Sequence, residues 1–403
     1  MKIRQVEITK LQRGMYVLDT LRGQELAPPV YSAAGFILNA DEGQELKEQG
    51  FLYAYIDVER SMAVPAADLE VDVLQQQRNL TSAENRIFPT VSYQDEVRSA
   101  QSVHVQALNA AHNMHEILKS GMEKGAVDSI YTVMQGTIDS LKRNENALLS
   151  ITRLRKADEY TFTHSVNVAM YAVVLGRRLC VQDAFLPDLA LAGFFHDIGK
   201  MMVPHDVLNF PGKLSANSYK IMRGHPELGR IFLERYPDIP EIVKTGVIEH
   251  HERYDGSGYP RQKKHDEISL VGKILAVVDM YDALSSKRCY KNAYTPSQSL
   301  SILYKIRETD FAPGFVENFI DALGVYPVGS LVLLSDKSLA VVTEQHPALS
   351  LKPKVVLLVN ARGGRIVHPQ LLDLAEQSKI SIVESVARLP MPMDLEHIVL
   401  QVA

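Results

Sequence analysis

The sequence contains only two cysteines, Cys180 and Cys289, in 403 residues. Two thiols cannot form a disulfide framework, and they cannot supply most of the ligands of a structural zinc site. Any metal ion bound by this chain would therefore be held mainly by nitrogen and oxygen ligands.

Long apolar stretches are also missing from the sequence. No run approaches the roughly 18 to 20 apolar residues that a membrane span needs. The first residues, MKIRQVEITKLQRG, lack the apolar segment of a signal peptide. These patterns predict a chain without a membrane span and with a cytoplasmic location.

The sequence has no excess of positive charge. Its formal net charge is −5, whereas proteins that coat nucleic acid neutralise many phosphates with Lys and Arg. We therefore expect no polymeric nucleic acid as a partner, although a small anionic substrate would need only a local basic pocket. Hydrophobic residues make up 46% of the chain and charged residues 23%, which is typical of a folded globular protein.

The length of the chain and its local texture predict several domains. Residues 1–60 contain short strand-like runs around a polar segment that could form one helix, which predicts a small α/β module. Residues 61–150 are typical of a linker followed by two connecting amphipathic helices. We found no internal repeat.

Residues 151–325 have helical periodicity throughout. Apolar residues recur at three and four spacing near 163–179, 184–197, 215–235, 239–251, 269–286, 296–309 and 313–323. After Tyr326-Pro327, the apolar runs SLVLLSD, SLAVVTE, KVVLLVN and ISIVES are separated by turn residues, which predicts a small β-rich extension over residues 326–403. The predicted fold class is therefore mainly α, a helical bundle between two smaller modules.

The helical block contains the residue types that hold metal ions. The candidate nitrogen and oxygen ligands are His164, His196, Asp197, His225, His250, His251 and Asp279. Helical bundles assemble internal metal sites from side chains on successive helices. Asp197 and Asp279 each follow a strongly apolar run, where a buried carboxylate needs a partner or a cation.

The adjacent pairs His196-Asp197 and His250-His251 suit two ions better than one, because neighbouring residues of a helix point about 100° apart. One carboxylate can bridge two ions that lie about 3.5 to 4 Å apart. Imidazole and carboxylate ligands suit Fe, Mn, Ni, Co or Zn, and ligand type does not choose among them. A lone His164 or His225 would more often be a surface or core residue than a ligand.

The joint order of these motifs resembles the HD-GYP family, a subset of HD-domain phosphohydrolases that act on cyclic dinucleotides. The matching stretches are EYTFTHSVNVA, HDIGK, GHPELG, HHERYDGSGYP and DMYDALSSKRCYK. HDIGK alone would indicate only the wider HD superfamily, whereas its combination with HHExxDGxGYP is highly specific. LQRGMYV resembles an uncharacterised domain ahead of some such modules, and YPVGSLVLLSD resembles their C-terminal extension.

The resemblance implies that the seven candidate residues hold two divalent metal ions, with Asp197 as the bridging ligand. Some family members have a Glu four residues before the first ligand histidine, and this Glu supports a third metal. Tyr160 occupies that position here, so a third ion would require Glu159 or Asp158 to reach the site.

The resemblance also implies contacts between basic residues and the substrate. Lys200 lies three residues after Asp197 and would neutralise charge that develops on the reacting phosphate. Arg288 and Lys291 match family positions that contact the substrate, where a guanidinium can pair with a phosphate or a guanine edge. The alternatives are an exposed lysine at a helix end and a solvated basic turn.

HHERYDGSGYP would end a helix with two metal ligands and then form a substrate loop. The glycines, Gly258 among them, would let the backbone approach a bulky anion. Tyr259 would offer an aromatic wall, and Pro260 would stiffen the loop. An ordinary surface turn is the alternative, so the substrate role of this loop depends mainly on the resemblance.

The function that the resemblance implies is a cyclic dinucleotide phosphodiesterase. Cyclic di-GMP is the expected substrate and linear pGpG the product, with further cleavage to GMP as a second step, and 3',3'-cGAMP is the main competing substrate. A non-catalytic receptor for cyclic dinucleotides and an HD-type mononucleotide hydrolase are the alternatives. The family also implies signalling-protein partners through the GYP loop. We interpret the N-terminal module as a regulatory element or as the contact of a homodimer.

Overall fold

The computed structural model describes the strands 3–7, 16–22, 35–36 and 51–57, and residues 88–120, 126–154, 160–210, 212, 214–286, 294–346, 349–377 and 379–402. The chain forms two compact units, Met1–Arg86 and Ile87–Ala403. The predicted boundaries at residues 60, 150 and 325 stay predictions.

The first unit contains an antiparallel sheet of four strands. They are β1 (Ile3–Glu7), β2 (Tyr16–Arg22), β3 (Gly35–Phe36) and β4 (Phe51–Asp57), in the order β1-β4-β2-β3. These strands confirm the strand-like runs predicted from the sequence. The helix predicted for the polar segment at residues 40–50 lies outside the described residues.

The second unit begins with two long helices that pack against each other, α1 (Tyr93–Ser120) and α2 (Ala126–Leu154). They confirm the two predicted connecting helices, and α1 begins earlier than predicted. Helix α2 is interrupted at Asn144, whose backbone has φ −158° and ψ 102°. The Asn144 side-chain oxygen accepts hydrogen bonds from the amides of Asn146 and Ala147. Asn144 therefore caps the second half of α2.

Nine further α-helices of the bundle lie in the part of the chain that the structure describes. They are α3 (Tyr160–Arg178), α4 (Leu186–Phe195), α5 (His205–Leu208), α6 (Ala216–Met222), α7 (His225–Leu233), α8 (Glu241–Glu249), α9 (Leu270–Ser285), α10 (Pro296–Asp310) and α11 (Phe315–Leu323). The mainly helical class is confirmed. No helix in the described part of the chain has the length and apolar character needed to cross a membrane.

The prediction of one continuous helix over 215–235 is wrong, because the chain turns at Arg223 and Gly224 between α6 and α7. Pro226 lacks the N–H that a continuous helix would donate to the carbonyl of Met222, and it suits the first turn of a new helix. The Met222 carbonyl accepts a hydrogen bond from Nδ1 of His225 instead, at 2.8 Å. The helix break thus orients a candidate metal ligand.

Helix α4 lies in the core of the bundle. Eight of its ten residues, LPDLALAGFF, are buried, and the helix packs against α2, α3 and α8. A Cβ on Gly193 would lie 2.8 Å from the Cα of Ala169 on α3, so glycine permits the close approach of these two helices. A helix that is apolar on all sides is a core helix, and the end of α4 therefore brings His196 and Asp197 into the interior.

The C-terminal part is a five-stranded antiparallel sheet followed by a helix. Its strands are β5 (Leu331–Leu334), β6 (Leu339–Glu344), β7 (Lys354–Val359), β8 (Arg365–Asp373) and β9 (Ile382–Val386), in the order β8-β7-β6-β5-β9. The helix is α12 (Leu395–Val402).

Four of these strands confirm the predicted apolar runs, whereas β8 and α12 did not emerge from the sequence analysis. Strand β8, RIVHPQLLD, contains Pro369 and has no fully buried residue. Proline is tolerated at the edge of a sheet, where its missing N–H is not needed. An edge strand of this kind lacks the apolar signal that identified the others.

At Gly199, the backbone of HDIGK packs closely against the backbone of α7. A Cβ at this position would lie 1.9 Å from the carbonyl oxygen of His225 and 2.5 Å from the amide nitrogen of Gly229. We expect Gly199→Ala to lower the free energy of unfolding by about 1–3 kcal/mol, because backbone must move to admit the methyl group. Urea unfolding measures this change.

Gly136→Ala is the matched control, since Gly136 lies within α2 and a Cβ there would meet nothing within 4 Å. We expect it to raise the free energy of unfolding by about 0.5–1 kcal/mol. Equal stability of Gly199→Ala and the parent chain would contradict the close approach.

Candidate metal centre

The structure brings the seven predicted metal ligands together from five elements. His164 lies in α3, His196 and Asp197 follow α4, His225 begins α7, His250 and His251 follow α8, and Asp279 lies in α9. Their side chains are at most 19% exposed. The helices thus enclose a small polar cluster within an apolar bundle.

Asp197 lies between two pairs of histidines. Its Oδ2 atom is 3.5 Å from Nε2 of His164 and 3.2 Å from Nε2 of His196. Its Oδ1 atom is 3.1 Å from Nε2 of His225 and 3.8 Å from Nε2 of His250. Each carboxylate oxygen therefore faces a different histidine pair, which is the arrangement of a bridging ligand.

Asp279 also contacts more than one histidine of the cluster. Its Oδ1 atom is 3.2 Å from Nε2 of His164 and 3.7 Å from Nε2 of His196. Its Oδ2 atom is 3.7 Å from Nδ1 of His251. Asp279 thus joins Asp197 and one of the histidine pairs in a set of two histidines and two carboxylates.

Four of the histidines are oriented by hydrogen bonds from Nδ1. His196, His225 and His250 each donate to the backbone carbonyl three residues earlier, at 2.7–2.8 Å. His164 donates to the carboxylate of Asp282 at 2.7 Å. A neutral imidazole that carries its proton on Nδ1 presents an unprotonated Nε2 as a metal ligand.

These Nε2 atoms meet in pairs at distances that favour a proton or a metal ion between them. The separation is 3.2 Å between His164 and His196, and 3.2 Å between His225 and His250. Two nitrogen lone pairs at this distance repel each other unless positive charge lies nearby. Oδ1 of Asp197 is buried and has no hydrogen-bond partner among the described residues. The nitrogen and oxygen donors therefore fit divalent transition metals.

The ionisation states of the cluster suit metal binding. Burial, the largest influence, lowers the pKa of His250 and His251 well below its ordinary value, so these imidazoles are neutral. Burial raises the pKa of Asp197, but Lys200 and His196 outweigh this effect and hold that pKa well below its ordinary value. Metal ions bind carboxylates and imidazoles that have lost their protons.

His164 and Asp279 show that a cation is favoured between them. Burial lowers the pKa of His164, but hydrogen bonds to Asp197, Asp279 and Asp282 outweigh burial and raise it well above its ordinary value. Burial raises the pKa of Asp279, but His164 and His196 hold it well below its ordinary value. A proton or a metal ion would satisfy this part of the cluster.

Asp282 contacts a candidate metal ligand, and the sequence analysis missed it. It is fully buried, accepts a hydrogen bond from Nδ2 of Asn167 at 2.8 Å and holds Nδ1 of His164. Carboxylates in this position fix the orientation of a ligand histidine and increase its basicity. The available signal was the spacing in DMYD, since Asp282 lies three residues after Asp279 on α9 and thus near the same face.

Glu252, the Glu of HHE, anchors the GYP loop. Its buried carboxylate accepts hydrogen bonds from the backbone amides of Arg261 at 2.7 Å and Lys263 at 3.1 Å. The loop therefore returns to the helix end that carries His250 and His251. The sequence analysis assigned no role to Glu252, although its place beside two candidate ligands was a signal.

The missing side chain of Gly258 makes room for backbone atoms of the protein itself. A Cβ there would lie 2.3 Å from the amide nitrogen of Arg253 and 2.6 Å from the Cα of Glu252, and Gly258 is buried. Tyr259 lies against the cluster of candidate metal ligands, with its ring centroid 4.6 Å from that of His251. A cis peptide bond joins Tyr259 to Pro260. The loop therefore places an aromatic ring beside a candidate ligand.

Lys200 forms an ion pair with Asp197 and is 32% exposed, so its ammonium group lies at the edge of the cluster. Two other predicted substrate residues, Arg288 and Lys291, lie outside the described residues. So do Glu159 and Asp158, the candidates for a third metal ligand, whereas Tyr160 begins α3.

Comparison with known proteins identifies three regions of the chain. Residues 142–313 match an HD domain, residues 331–389 match a KOW domain associated with HD domains, and residues 3–125 match DUF3391, a domain of unknown function.

Curated relatives extend this similarity beyond single regions. The cyclic di-GMP phosphodiesterase PA4108 of Pseudomonas aeruginosa is 33% identical over 377 residues, which cover 92% of this chain and 89% of that protein. The 3'3'-cGAMP-specific phosphodiesterase 2 of Vibrio cholerae is 34% identical over 162 residues, which cover 40% of this chain and 31% of that protein.

A solved structure of Bd1817, an HDG"Y"P protein from Bdellovibrio bacteriovorus, aligns with 80% of this chain and 99% of its own, with a TM-score of 0.48 and 14% identity.

Asp282→Asn tests the support of His164. The amide preserves the shape of the side chain but removes the negative charge that makes His164 a stronger ligand. We expect the affinity for metal to fall by about 10- to 100-fold. Titration of the metal-free protein with Mn²⁺ or Zn²⁺ measures it.

Asp188→Asn is the matched control, because Asp188 accepts a hydrogen bond from Tyr131 near the opposite end of α4 from His196. We expect that variant to bind metal as the parent chain does. Unchanged metal affinity in Asp282→Asn would show that the carboxylate does not tune the site.

Proposed function

Because this chain belongs to the HD-domain phosphodiesterases of the HD-GYP type with an N-terminal DUF3391 domain, we propose that it hydrolyses cyclic di-GMP at a pair of divalent metal ions. The chain is a cyclic dinucleotide phosphodiesterase. The choice of cyclic di-GMP, the linear product pGpG with a further step to GMP, and the number of ions are our proposals.

The extent of similarity favours cyclic di-GMP over 3',3'-cGAMP. One relative named as a cyclic di-GMP phosphodiesterase matches 92% of this chain, and four others with that name match 40–45% of it. The three relatives named as 3'3'-cGAMP-specific match 39–42% of it. Similarity that extends over the flanking regions supports a shared substrate better than similarity confined to one part of the chain.

The observation that carries the two-metal proposal is the position of Asp197 between the histidine pairs. One ion would be held by His164, His196, Asp197 and Asp279, and the other by His225, His250, His251 and Asp197. Ions bound in this way would lower the pKa of water and neutralise charge on the phosphate. Fe, Mn, Ni, Co and Zn fit the donor set, and a third ion would need Glu159 or Asp158.

The residues of the chain position the reactants. Lys200, whose ammonium lies at the edge of the cluster, would bind an oxygen of the reacting phosphate and stabilise the charge that develops there. Tyr259 would provide a wall beside His251, within the loop that Gly258 and Pro260 shape. Arg288 and Lys291 would contact the substrate further out.

Two partner proposals remain from the family resemblance. The GYP loop would contact other signalling proteins, and the N-terminal module would serve regulation or homodimer formation. Size-exclusion chromatography with light scattering would test the dimer directly.

The double variant His196→Ala, Asp197→Ala tests the metal centre as the site of hydrolysis. We expect it to lose bound metal and at least about 1,000-fold in turnover of cyclic di-GMP, because it removes the bridging ligand and a histidine. Metal analysis of anaerobically purified protein and chromatography of the products from cyclic di-GMP and 3',3'-cGAMP provide the measurements.

His397→Ala is the control, since His397 is an exposed histidine in α12, and we expect parental activity. Full hydrolysis by the metal-depleted double variant would overturn the proposal. A parent chain that binds the nucleotide but forms no product with Mn, Fe, Ni or Mg would indicate a receptor. Faster turnover of dNTPs would indicate a mononucleotide hydrolase.

A further inference from the structure

Arg223 lies at the turn between α6 and α7, two residues before His225. Its Nη2 donates a hydrogen bond to the carbonyl of Gly258 at 3.4 Å. Its guanidinium carbon lies 4.6 Å from the ring centroid of Tyr259 and 5.9 Å from that of Tyr219. Arg223 therefore packs against the GYP loop, and the Tyr259 ring contacts both Arg223 and the ring of His251.

The guanidinium of Arg223 differs from four cations around the loop that each have a carboxylate partner. Lys200 pairs with Asp197, and Lys263 pairs with Glu249. Arg253 lies 3.4 Å from a carboxylate oxygen of Asp310, and Arg261 lies 3.5 Å from one of Glu227. Within the part of the chain that the structure describes, no carboxylate oxygen lies within 4.0 Å of Arg223. A half-buried guanidinium that lacks a protein counterion favours an anionic ligand.

Stacking on Tyr259 leaves the donors of Arg223 available. A guanidinium carries five N–H groups in its plane, and among the described residues Arg223 uses one of them, for the bond to Gly258. The guanidinium carbon lies 4.6 Å from the ring centroid of Tyr259, and a guanidinium that lies face-on over an aromatic ring directs its N–H groups outward from its edge. Such an edge matches the oxygen atoms of a phosphate.

We propose that Arg223 binds the phosphate of the cyclic dinucleotide that is not being hydrolysed. This inference rests on the proposed function, in which the metal centre takes one of the two phosphates in the nucleotide ring. The second phosphate would then lie beyond Tyr259, near Arg223, which has no carboxylate partner among the residues that the structure describes. Arg223 would thus distinguish a cyclic dinucleotide from a substrate with a single phosphate.

The variant Arg223→Gln tests this assignment. We expect its KM for cyclic di-GMP to rise about 10- to 100-fold with little change in kcat, since a hydrogen-bonded charge pair is lost from binding. Metal content and hydrolysis of bis(p-nitrophenyl) phosphate, which has one phosphate, should stay at the parental level. The KM of Arg223→Lys for cyclic di-GMP should lie between those of the parent chain and Arg223→Gln, because lysine keeps the charge but loses the planar donors.

Arg235→Gln is the matched control, because Arg235 packs over Phe232 at 5.8 Å on the far end of α7. We expect its KM to equal that of the parent chain. An unchanged KM in Arg223→Gln would overturn the inference. A parallel loss of bis(p-nitrophenyl) phosphate hydrolysis would also overturn it, since Arg223 would then support the reacting phosphate or the loop as a whole.

Binding of a hydrolysis-resistant phosphorothioate analogue of cyclic di-GMP separates this inference from the proposed function. We expect calorimetry to show a Kd about 10- to 100-fold weaker for Arg223→Gln than for the parent chain. If the parent binds the analogue but hydrolyses no cyclic dinucleotide, the hydrolysis proposal fails while the Kd comparison still tests Arg223. If the parent binds no analogue, the assignment of Arg223 fails too.

Discussion

The structure of the catalytic bundle depends on one carboxylate that two histidine pairs surround. Asp197 is buried, and its two oxygens face His164 and His196 on one side and His225 and His250 on the other. The buried carboxylates beside the neutral imidazoles of His250 and His251 favour added positive charge, as the raised pKa of His164 also shows. Metal binding and the stability of this interior are therefore coupled, because cations bound here would remove the repulsion.

The apolar bundle holds this polar cluster in place. Helix α4 is surrounded by α2, α3 and α8, and its buried end delivers His196 and Asp197. Backbone carbonyls at the ends of helices orient three of the imidazoles, and Gly199 permits the backbone contact with His225. The geometry of the candidate ligands is thus set by main-chain atoms, which move less readily than side chains.

The GYP loop lies against the cluster of candidate metal ligands, on the side where we propose that the substrate binds. Glu252 fixes the loop through two backbone amides, Tyr259 lies beside His251, and Arg223 packs on Tyr259. His251, Tyr259 and Arg223 thus lie in succession from the candidate metal centre outward, and Arg223 carries a half-buried positive charge. In our proposal, a substrate with two phosphates places one at the metal centre and the other at Arg223.

The sequence determined the helical class, the candidate ligands and the family, because periodicity and motif order are local properties of the chain. It did not determine the break at Pro226, the edge strand β8, or the roles of Asp282, Glu252 and Arg223. The roles of these three side chains depend on contacts with residues elsewhere in the chain, such as Asp282 with His164 and Arg223 with Gly258. Only tertiary packing sets such distances, and they decide whether a buried charge has a partner.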